Sequence, residues 1–131
     1  MKTIHVVAAV IRKNRKILCC QRSDRGPYGK KWEFPGGKVE PGEKPEDALV
    51  REIREELDVE IMVNDFLMRV EHSYPSFNVV LDVYLATITN GILTLKEHLN
   101  AKWLGKEDLK SVDWLEADLP ILDRIIENGL I

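Results

Sequence analysis

The sequence predicts an α/β fold in which a mixed β-sheet is covered by helices on both faces, an α/β/α sandwich. Apolar runs rich in β-branched residues, which are typical of strands, occur towards both ends of the chain. Two longer helical patterns lie between and after these runs. Elements in this order bury their apolar faces when the helices pack on opposite faces of one sheet. No repeat or linker divides the 131 residues, and we expect residues 1–131 to form a single domain.

The first part of the chain reads as a hairpin followed by short extended pieces. Its predicted elements are, in order, a strand over residues 3–12, a turn at Asn14-Arg15, a strand over residues 16–22, a polar surface loop over residues 23–31, an extended piece over residues 32–34 and a tight turn at Gly36-Gly37.

The rest of the chain begins with the longest helical pattern. Its predicted elements are, in order, a helix from Pro45 to Leu57, strands over residues 61–74 and 77–89 joined at Pro75-Ser76, shorter strands over residues 93–96 and 101–104 around a loop containing Glu97, a short helix over residues 106–110 and a final helix over residues 119–128. Gly129 is the stop signal of the final helix.

Composition is that of a soluble globular protein. Charged residues make up 31% of the chain, hydrophobic residues 44%, and the net charge is −3. That charge provides no general attraction for nucleic acid or for an anionic membrane, so we expect neither partner. The N-terminus lacks the pattern of a signal peptide. Cys19 and Cys20 are adjacent on a strand, which suits neither a disulfide nor a CxxC site, and we expect reduced cysteines in a cytoplasmic protein.

A cluster of acids around the first helix carries the chemical signal. Glu52, Glu55 and Glu56 stand at i, i+3 and i+4, so a helix projects them within about one turn of each other. Like charges at that spacing destabilise a helix by roughly 0.2–0.5 kcal/mol per pair unless a cation compensates them. The alternative is a solvated surface helix with ordinary i,i+4 pairs. Gly36-Gly37 argues against it, because a backbone without Cβ atoms lets an ion or phosphate approach closely.

The segment from Gly37 to Val59 resembles the Nudix box, Gly-x5-Glu-x7-Arg-Glu-U-x-Glu-Glu-x-Gly-U, where U is aliphatic. The matching positions are Gly37, Glu43, Arg51, Glu52, Ile53, Glu55, Glu56 and Val59. Asp58 replaces the box glycine at the helix C-cap. Asp visits the left-handed region more readily than most residues, so we expect a small stability cost and an intact site. The resemblance is strong over residues 4–59 and closest to the MutT-type branch.

The resemblance implies a divalent-metal site, with Mg²⁺ as the expected ion and Mn²⁺ as the alternative. It makes Glu56 and the Gly36 carbonyl metal ligands, and Glu52 a ligand or the group that orients water. Glu55 lies beside them in the catalytic set. Glu97 is the candidate for a further ligand or for the general base, with Glu52 as the alternative base.

Arg51 is similar to the arginine of the Nudix box. We expect it to orient Glu43 or Glu52 through a charge-assisted hydrogen bond. The alternative is a surface arginine that pairs with Glu55 in the next helical turn.

Substrate contacts lie outside the box. The resemblance places Arg22 and Phe34 beside a nucleobase, and Glu33 is assigned to the same group. Lys38 is expected to meet phosphate oxygens. Phe77 is either a pocket residue or a core residue. We do not expect His72 or His98 to bind metal, and His5 reads as structural.

Asp118 is the remaining candidate for base recognition. It stands where the MutT-type pocket has Asn, in a segment, residues 114–118, similar to bacterial CTP and modified-dCTP pyrophosphohydrolases. An ionised Asp only accepts hydrogen bonds, which favours a base with an amino group and weakens the case for oxidised guanine. The alternative reading is an N-cap of the last helix.

The sequence therefore predicts a metal-dependent pyrophosphohydrolase that converts nucleoside triphosphates to nucleoside monophosphates and pyrophosphate, in nucleotide-pool cleaning. Its candidate substrates are 8-oxo-dGTP and CTP or modified dCTP. The alternative is a module that binds a nucleotide or nucleotide sugar without hydrolysing it, and the retention of all box acids disfavours that reading. We expect a monomer or a homodimer.

Overall fold

The computed structural model describes all residues, 1–131. Its strands and helices are β1 (Lys2–Lys13), β2 (Lys16–Gln21), β3 (Trp32–Glu33), β4 (Gly36–Lys38), α1 (Pro45–Leu57), β5 (Val59–Tyr74), β6 (Phe77–Gly91), β7 (Asn100–Leu104) and α2 (Leu119–Glu127). Two 3₁₀ helices, Leu109–Ser111 and Glu116–Asp118, precede α2. None of the helices has the length and apolar character needed to cross a membrane.

The sheet is mixed, as predicted. Its main path runs β3-β2-β1-β6-β5, while β4 pairs with β1 and β7 pairs with β2. Strands β1 and β6 are parallel, and every other pair is antiparallel. The predicted turns at Asn14-Arg15 and Pro75-Ser76 join β1 to β2 and β5 to β6.

Two apolar cores lie on opposite faces of this sheet. Alternate residues of β1 serve the two cores, because successive strand side chains point to opposite faces. Ala9 packs in the core that contains Ile53 of α1, whereas Val10 packs in the core that contains Ile121 of α2. Cys19 and Cys20 divide between the cores in the same way, and both are free thiols. The predicted α/β/α sandwich is confirmed.

Helix α1 has the predicted bounds, and its termini explain them. Pro45 occupies the first turn, where its missing N–H costs nothing, and Glu46 and Asp47 complement the helix dipole. At the other end Asp58 adopts the left-handed conformation with φ of 58°, and its N–H donates to the carbonyl of Arg54. The residue that departs from the Nudix box therefore still forms the helix cap.

Three elements differ from the sequence predictions. Residues 93–96, predicted as a strand, form no strand, because the N–H groups of Thr94 and Lys96 donate to the carbonyls of Leu57 and Glu56 at the end of α1. The predicted helix over residues 106–110 is a turn followed by the 3₁₀ helix Leu109–Ser111. Gly36 and Gly37, predicted as a turn, belong to β4 and pair with β1.

Candidate active site

A cavity of about 780 Å³ opens where β1, β3, β4 and α1 meet the loop between β6 and β7. Of the residues predicted for the site, ten line it: Arg22, Glu33, Phe34, Gly36, Lys38, Glu52, Glu56, Phe77, Glu97 and Asp118. Glu43, Arg51 and Glu55 do not. The fold thus brings together residues that are distant in sequence, with acids at one end of the cavity and aromatic side chains at the other.

Arg51 fixes the acidic end of the cavity through hydrogen bonds to Glu43 and Glu52. Its Nε and Nη2 donate to the two carboxylate oxygens of Glu43, each at 2.9 Å, and its Nη1 donates to Glu52 Oε1 at 2.9 Å. Nη2 also donates to the carbonyl of Lys38 at 3.1 Å. The expected contacts with both Glu43 and Glu52 are present, and they tie α1 to the loop that precedes it.

The electrostatics of Glu43 follow from this pairing. The Arg51 hydrogen bonds, together with one from the backbone N–H of Glu40, lower the pKa of Glu43 to about 2. Glu43 in turn raises the pKa of Arg51. Both groups are therefore charged at neutral pH.

Glu55 departs from the prediction that all three helix acids face one site. Its side chain is 56% exposed, and its one contact is with Arg51 Nη1 at 3.5 Å. Measured around the helix axis, a residue at i+3 is offset from the first residue by about 60° in one direction, whereas a residue at i+4 is offset by about 40° in the other direction. Glu52 and Glu56 consequently share the cavity, and Glu55 turns towards solvent and Arg51.

The two glycines of β4 explain how the Glu52 carboxylate fits against the loop. A Cβ on Gly37 would lie 2.3 Å from Glu52 Cδ, so any larger residue would displace this carboxylate. A Cβ on Gly36 would meet the Val7 carbonyl oxygen of the paired strand. The absence of side chains at both positions lets β4 pack between β1 and α1 with the Glu52 carboxylate against its backbone.

Glu56 is the most unusual acid of the site. It is 5% exposed. Burial, followed by the nearby charges of Glu33, Glu52 and Glu97, raises its pKa well above that of an ordinary carboxyl group. A buried carboxylate surrounded by like charges lacks a counter-charge, and a bound cation would supply one.

The available donors suit a hard divalent cation. They are the carboxylates of Glu52, Glu56 and Glu97 and the carbonyl of Gly36, all of them oxygen ligands. No three His, Cys, Asp or Glu side chains form a ready-made cage. Mg²⁺ is commonly held by one or two carboxylates while it keeps several waters, so an open arrangement of this kind fits such an ion.

Glu97 lies on the loop between β6 and β7 and lines the cavity opposite α1. It is exposed, and its carboxylate makes no hydrogen bond or ion pair. The loop is nevertheless fixed by backbone hydrogen bonds on both sides, from Lys96 N–H to the Glu56 carbonyl and from Leu99 N–H to the Gln21 carbonyl. Glu97 is therefore a free acid at a defined place in the site.

The other end of the cavity is aromatic and apolar. Phe34 stacks on Trp114 with ring centroids 4.7 Å apart, and Tyr74 packs between Tyr28 and Phe77. Arg22 Nη1 donates to Glu33 Oε1 at 2.9 Å. Phe77 lines the cavity and also packs on the α2 core, so both readings of that residue hold.

Asp118 is buried at the aromatic end, with an exposure of 5%. Its Oδ2 accepts a hydrogen bond from the backbone N–H of Phe34 at 3.0 Å. Asp118 stands at the N-cap position of α2, as the alternative reading had it, but its side chain makes no capping hydrogen bond to the helix. The carboxyl group instead fixes Phe34, in the segment that joins β3 to β4.

Burial also changes what Asp118 offers chemically. Desolvation raises its pKa to about 8, although the Phe34 N–H opposes this rise. At neutral pH the carboxyl group is therefore mostly protonated, and a protonated carboxyl can donate as well as accept. The sequence argument assumed an ionised group that only accepts, and that premise is wrong because it ignored burial.

Sequence reasoning missed His98, which lines the cavity beside Glu97. Its Nε2 lies 3.0 Å from Glu33 Oε2 and 3.6 Å from Glu56 Oε2. Glu33 is 65 residues away along the chain, so no local spacing could have revealed the contact. Tyr28 and Tyr74 were missed as cavity residues for the same reason.

Comparison with known proteins agrees with this geometry. The NUDIX domain family model matches residues 1–125. The CTP pyrophosphohydrolase of Escherichia coli strain K12 is 37% identical over 123 residues, covering 94% of this chain and 91% of that protein. The 8-oxo-dGTP diphosphatase of Proteus vulgaris is 37% identical over 97 residues, covering 73% of this chain and 87% of that protein.

A solved structure shares the fold over nearly the whole chain. The crystal structure of the MutT NUDIX hydrolase from Burkholderia pseudomallei superposes with a TM-score of 0.86 at 28% identity, covering 95% of this chain and 99% of that one. Nudix hydrolases as a family require divalent metal ions, in keeping with the oxygen donors around Glu56. The box residues, the mixed sheet and the match over residues 1–125 together show that this chain belongs to the NUDIX family and is a Nudix hydrolase.

Proposed function

We propose that this chain is a Mg²⁺-dependent pyrophosphohydrolase that converts nucleoside triphosphates to nucleoside monophosphates and pyrophosphate, with CTP or modified dCTP preferred over 8-oxo-dGTP. It would serve to clean the cytoplasmic nucleotide pool. One observation carries the proposal. A buried acid without counter-charge, Glu56, shares one cavity with an aromatic pocket that ends in the buried carboxyl of Asp118.

The two ends of the cavity fit the two ends of such a substrate. Glu56, Glu52 and the Gly36 carbonyl would hold a divalent metal ion, which would neutralise phosphate charge and lower the pKa of a bound water. Lys38, exposed at the mouth, meets phosphate oxygens as a point charge. Phe34 and Phe77 pack against the base, because every base offers a flat apolar face.

Hydrolysis needs an acceptor for the proton of the attacking water. Glu52 Oε1 already accepts a hydrogen bond from Arg51 Nη1 at 2.9 Å, which holds the carboxylate in place and occupies one of its oxygens. Glu97 lines the same cavity and has no partner. We therefore assign Glu97 as the general base and Glu52 as a metal ligand held in place by Arg51.

The preference for cytidine nucleotides has its own support. The relative that covers 94% of this chain at 37% identity is a CTP pyrophosphohydrolase. A protonated Asp118, with Oδ2 taken by the Phe34 N–H, has one O–H to donate. Cytosine presents ring N3 and O2 acceptors to such a donor. Asp118→Leu, which removes the donor, should therefore change the ranking of CTP, modified dCTP and 8-oxo-dGTP, whereas Asp118→Asn, whose N–H can replace the O–H, should keep it. An unchanged ranking in Asp118→Leu would remove the base-selecting role.

Metal dependence is tested with purified protein, the same nucleotide panel and Mg²⁺. We expect pyrophosphate release that EDTA abolishes and that Glu56→Gln lowers about 100-fold or more, because the substitution removes a metal ligand. Glu60→Gln makes the same chemical change on an exposed residue paired with Arg54, and its rate should match wild type. A normal rate in Glu56→Gln would contradict the metal assignment. Nucleotide binding without pyrophosphate release would favour a binding module.

A further inference from the structure

His98 occupies a buried position between the two ends of the cavity. Its side chain is 4% exposed. The ring nitrogen Nε2 lies 3.0 Å from Glu33 Oε2 and 3.6 Å from Glu56 Oε2, of which only the first is a hydrogen-bond distance. The contact that orients the ring is therefore the one with Glu33.

The backbone fixes the ring independently of its side-chain contacts. Lys96 N–H donates to the carbonyl of Glu56 at 3.1 Å, two residues before His98, and Leu99 N–H donates to the carbonyl of Gln21 at 2.9 Å, one residue after it. Neither hydrogen bond involves the His98 side chain. A variant at this position should therefore fold with the loop in place.

The hydrogen on the ring can be placed from its neighbours. Nε2 faces carboxylate oxygens, which accept hydrogen bonds, so Nε2 carries the hydrogen and donates it. Nδ1 is buried and has no partner. An unpaired buried nitrogen costs free energy, and such groups in folded proteins call for a functional explanation. A histidine that served packing alone would gain nothing from this arrangement.

Glu33 links His98 to the residues at the aromatic end of the cavity. Its second oxygen, Oε1, accepts from Arg22 Nη1 at 2.9 Å, so one carboxylate bridges His98 and Arg22. The next residue, Phe34, is fixed through its N–H by Asp118. Arg22 also has a buried Nε without an acceptor, so Glu33 holds this guanidinium by one nitrogen only.

We propose that His98 is a positioning residue for the nucleoside: by donating to Glu33 it fixes that carboxylate, and through it Arg22, against the bound nucleotide. The proposal rests on the proposed function in that the cavity must hold a nucleotide. It makes His98 the link between the loop that carries Glu97 and the aromatic end of the site.

The expected effects fall on binding. His98→Leu keeps an apolar side chain of moderate size but removes the donor. It should raise KM for CTP and weaken binding of CMP in EDTA about tenfold, in the range found for residues that orient other binding groups. The kcat should change by less than about threefold, since the lost contact acts equally on ground state and transition state. His98→Gln, which can still donate an N–H, should stay within about threefold of wild type.

The test measures CMP and 8-oxo-dGMP binding by calorimetry in EDTA for wild type, His98→Leu, His98→Gln, Glu33→Gln and the double variant. If His98 acts through Glu33, the double variant loses no more than the weaker-binding single variant. His5→Leu is the matched control, because His5 Nε2 also contacts a buried carboxylate, Asp82, at 2.6 Å but lies outside the cavity lining. It should leave CMP binding unchanged.

Three results would overturn the proposal: unchanged CMP binding in His98→Leu, additive losses in the double variant, or binding of neither monophosphate to wild type. Failure of the proposed function looks different. Wild type would then release no pyrophosphate from any triphosphate, while the pattern of monophosphate binding across the His98 and Glu33 variants persisted.

Discussion

Asp118 lies between the segment that joins β3 to β4, which carries Phe34, and the start of α2, and it is buried. Burial raises its pKa to about 8, with Glu33 adding to the rise and Arg22 and the Phe34 N–H opposing it. The folded-state pKa is thus above the unfolded value, so the folded state binds the extra proton. Stability is greatest at low pH and falls as pH rises from about 4 through about 8.

Asp118→Asn removes this pH dependence while it keeps an oxygen that can accept from Phe34 N–H. In EDTA, its melting temperature should exceed that of wild type by about 5 °C at about pH 9, and the difference should shrink towards about pH 5. Thermal unfolding followed by circular dichroism across this range measures the gap. Asp113→Asn, an exposed Asp paired with Lys31, should run parallel to wild type. A gap that stays constant with pH would contradict a buried, protonated Asp118.

Individual residues also show which features could be predicted from the sequence and which could not. The box acids were found because three of them, Glu52, Glu55 and Glu56, lie within one helix, where spacing predicts geometry. His98 was dismissed because its partner Glu33 lies 65 residues away, and only the folded sheet brings them together. Asp118 was identified as a site residue, but its ionisation was wrong because burial cannot be read from local sequence.

Among the elements, α1 is held to its N-terminal loop through one ion cluster. Arg51, on the helix, bonds both oxygens of Glu43, on the loop, and the pKa of Glu43 falls to about 2. The folded-state pKa lies below the ordinary value of 4.5, so the folded state favours the ionised form. The stability contributed by this pair is present above about pH 4.5 and is lost as pH falls towards about 2.

Glu43→Gln should therefore be less stable than wild type near neutral pH, and the difference should vanish between about pH 4.5 and about pH 2, where the wild-type carboxylate becomes protonated. The urea midpoint measured at a series of pH values tests this. Glu55→Gln is the comparison, because Glu55 meets Arg51 only at 3.5 Å and is mostly exposed. If both variants lose the same stability with the same pH profile, the Glu43 pair has no special role in holding the loop.

Elements were predicted best where their ends carry strong local signals. Pro45 and the acids of the first turn fix the start of α1, and the bounds agree with the prediction. Residues 93–96 have the composition of a strand, but they pair with no neighbouring strand. Their N–H groups instead donate to the last carbonyls of α1. Tertiary contacts of this kind override propensity, and the same contacts place Glu97 in the site.

At the scale of the whole molecule, β1 connects the other strands of the sheet and the two apolar cores. It pairs with β2, β4 and β6, and its alternate side chains enter both cores. The layered α/β/α arrangement was predictable from the order of elements, because apolar faces must be covered. The parallel pairing of β1 with β6 was not, because the paired residues, such as Val6 and Leu81, lie far apart along the chain.

This shared strand leads to a prediction about unfolding. Because Ala9 faces the α1 core and Val10 the α2 core, neither core can lose its packing while β1 stays in the sheet. Ile53→Ala in the α1 core and Ile121→Ala in the α2 core should each cost about 2–5 kcal/mol, since both side chains are fully buried. In both variants, loss of secondary structure and change in tryptophan fluorescence should occur in one transition at the same urea concentration.

Tryptophan position makes this test specific. Trp32 and Trp114 are buried in the α2 core, whereas Trp103 packs partly buried against the α1 core. In a Trp103→Phe background, fluorescence therefore reports on the α2 side of the sheet, whereas circular dichroism reports on the whole chain. If Ile53→Ala shifted the circular dichroism transition and left the fluorescence transition at the wild-type midpoint, the two cores would unfold separately. Coincident shifts in both variants would instead establish residues 1–131 as one cooperative domain, because damage on either face of β1 would then be felt on the other.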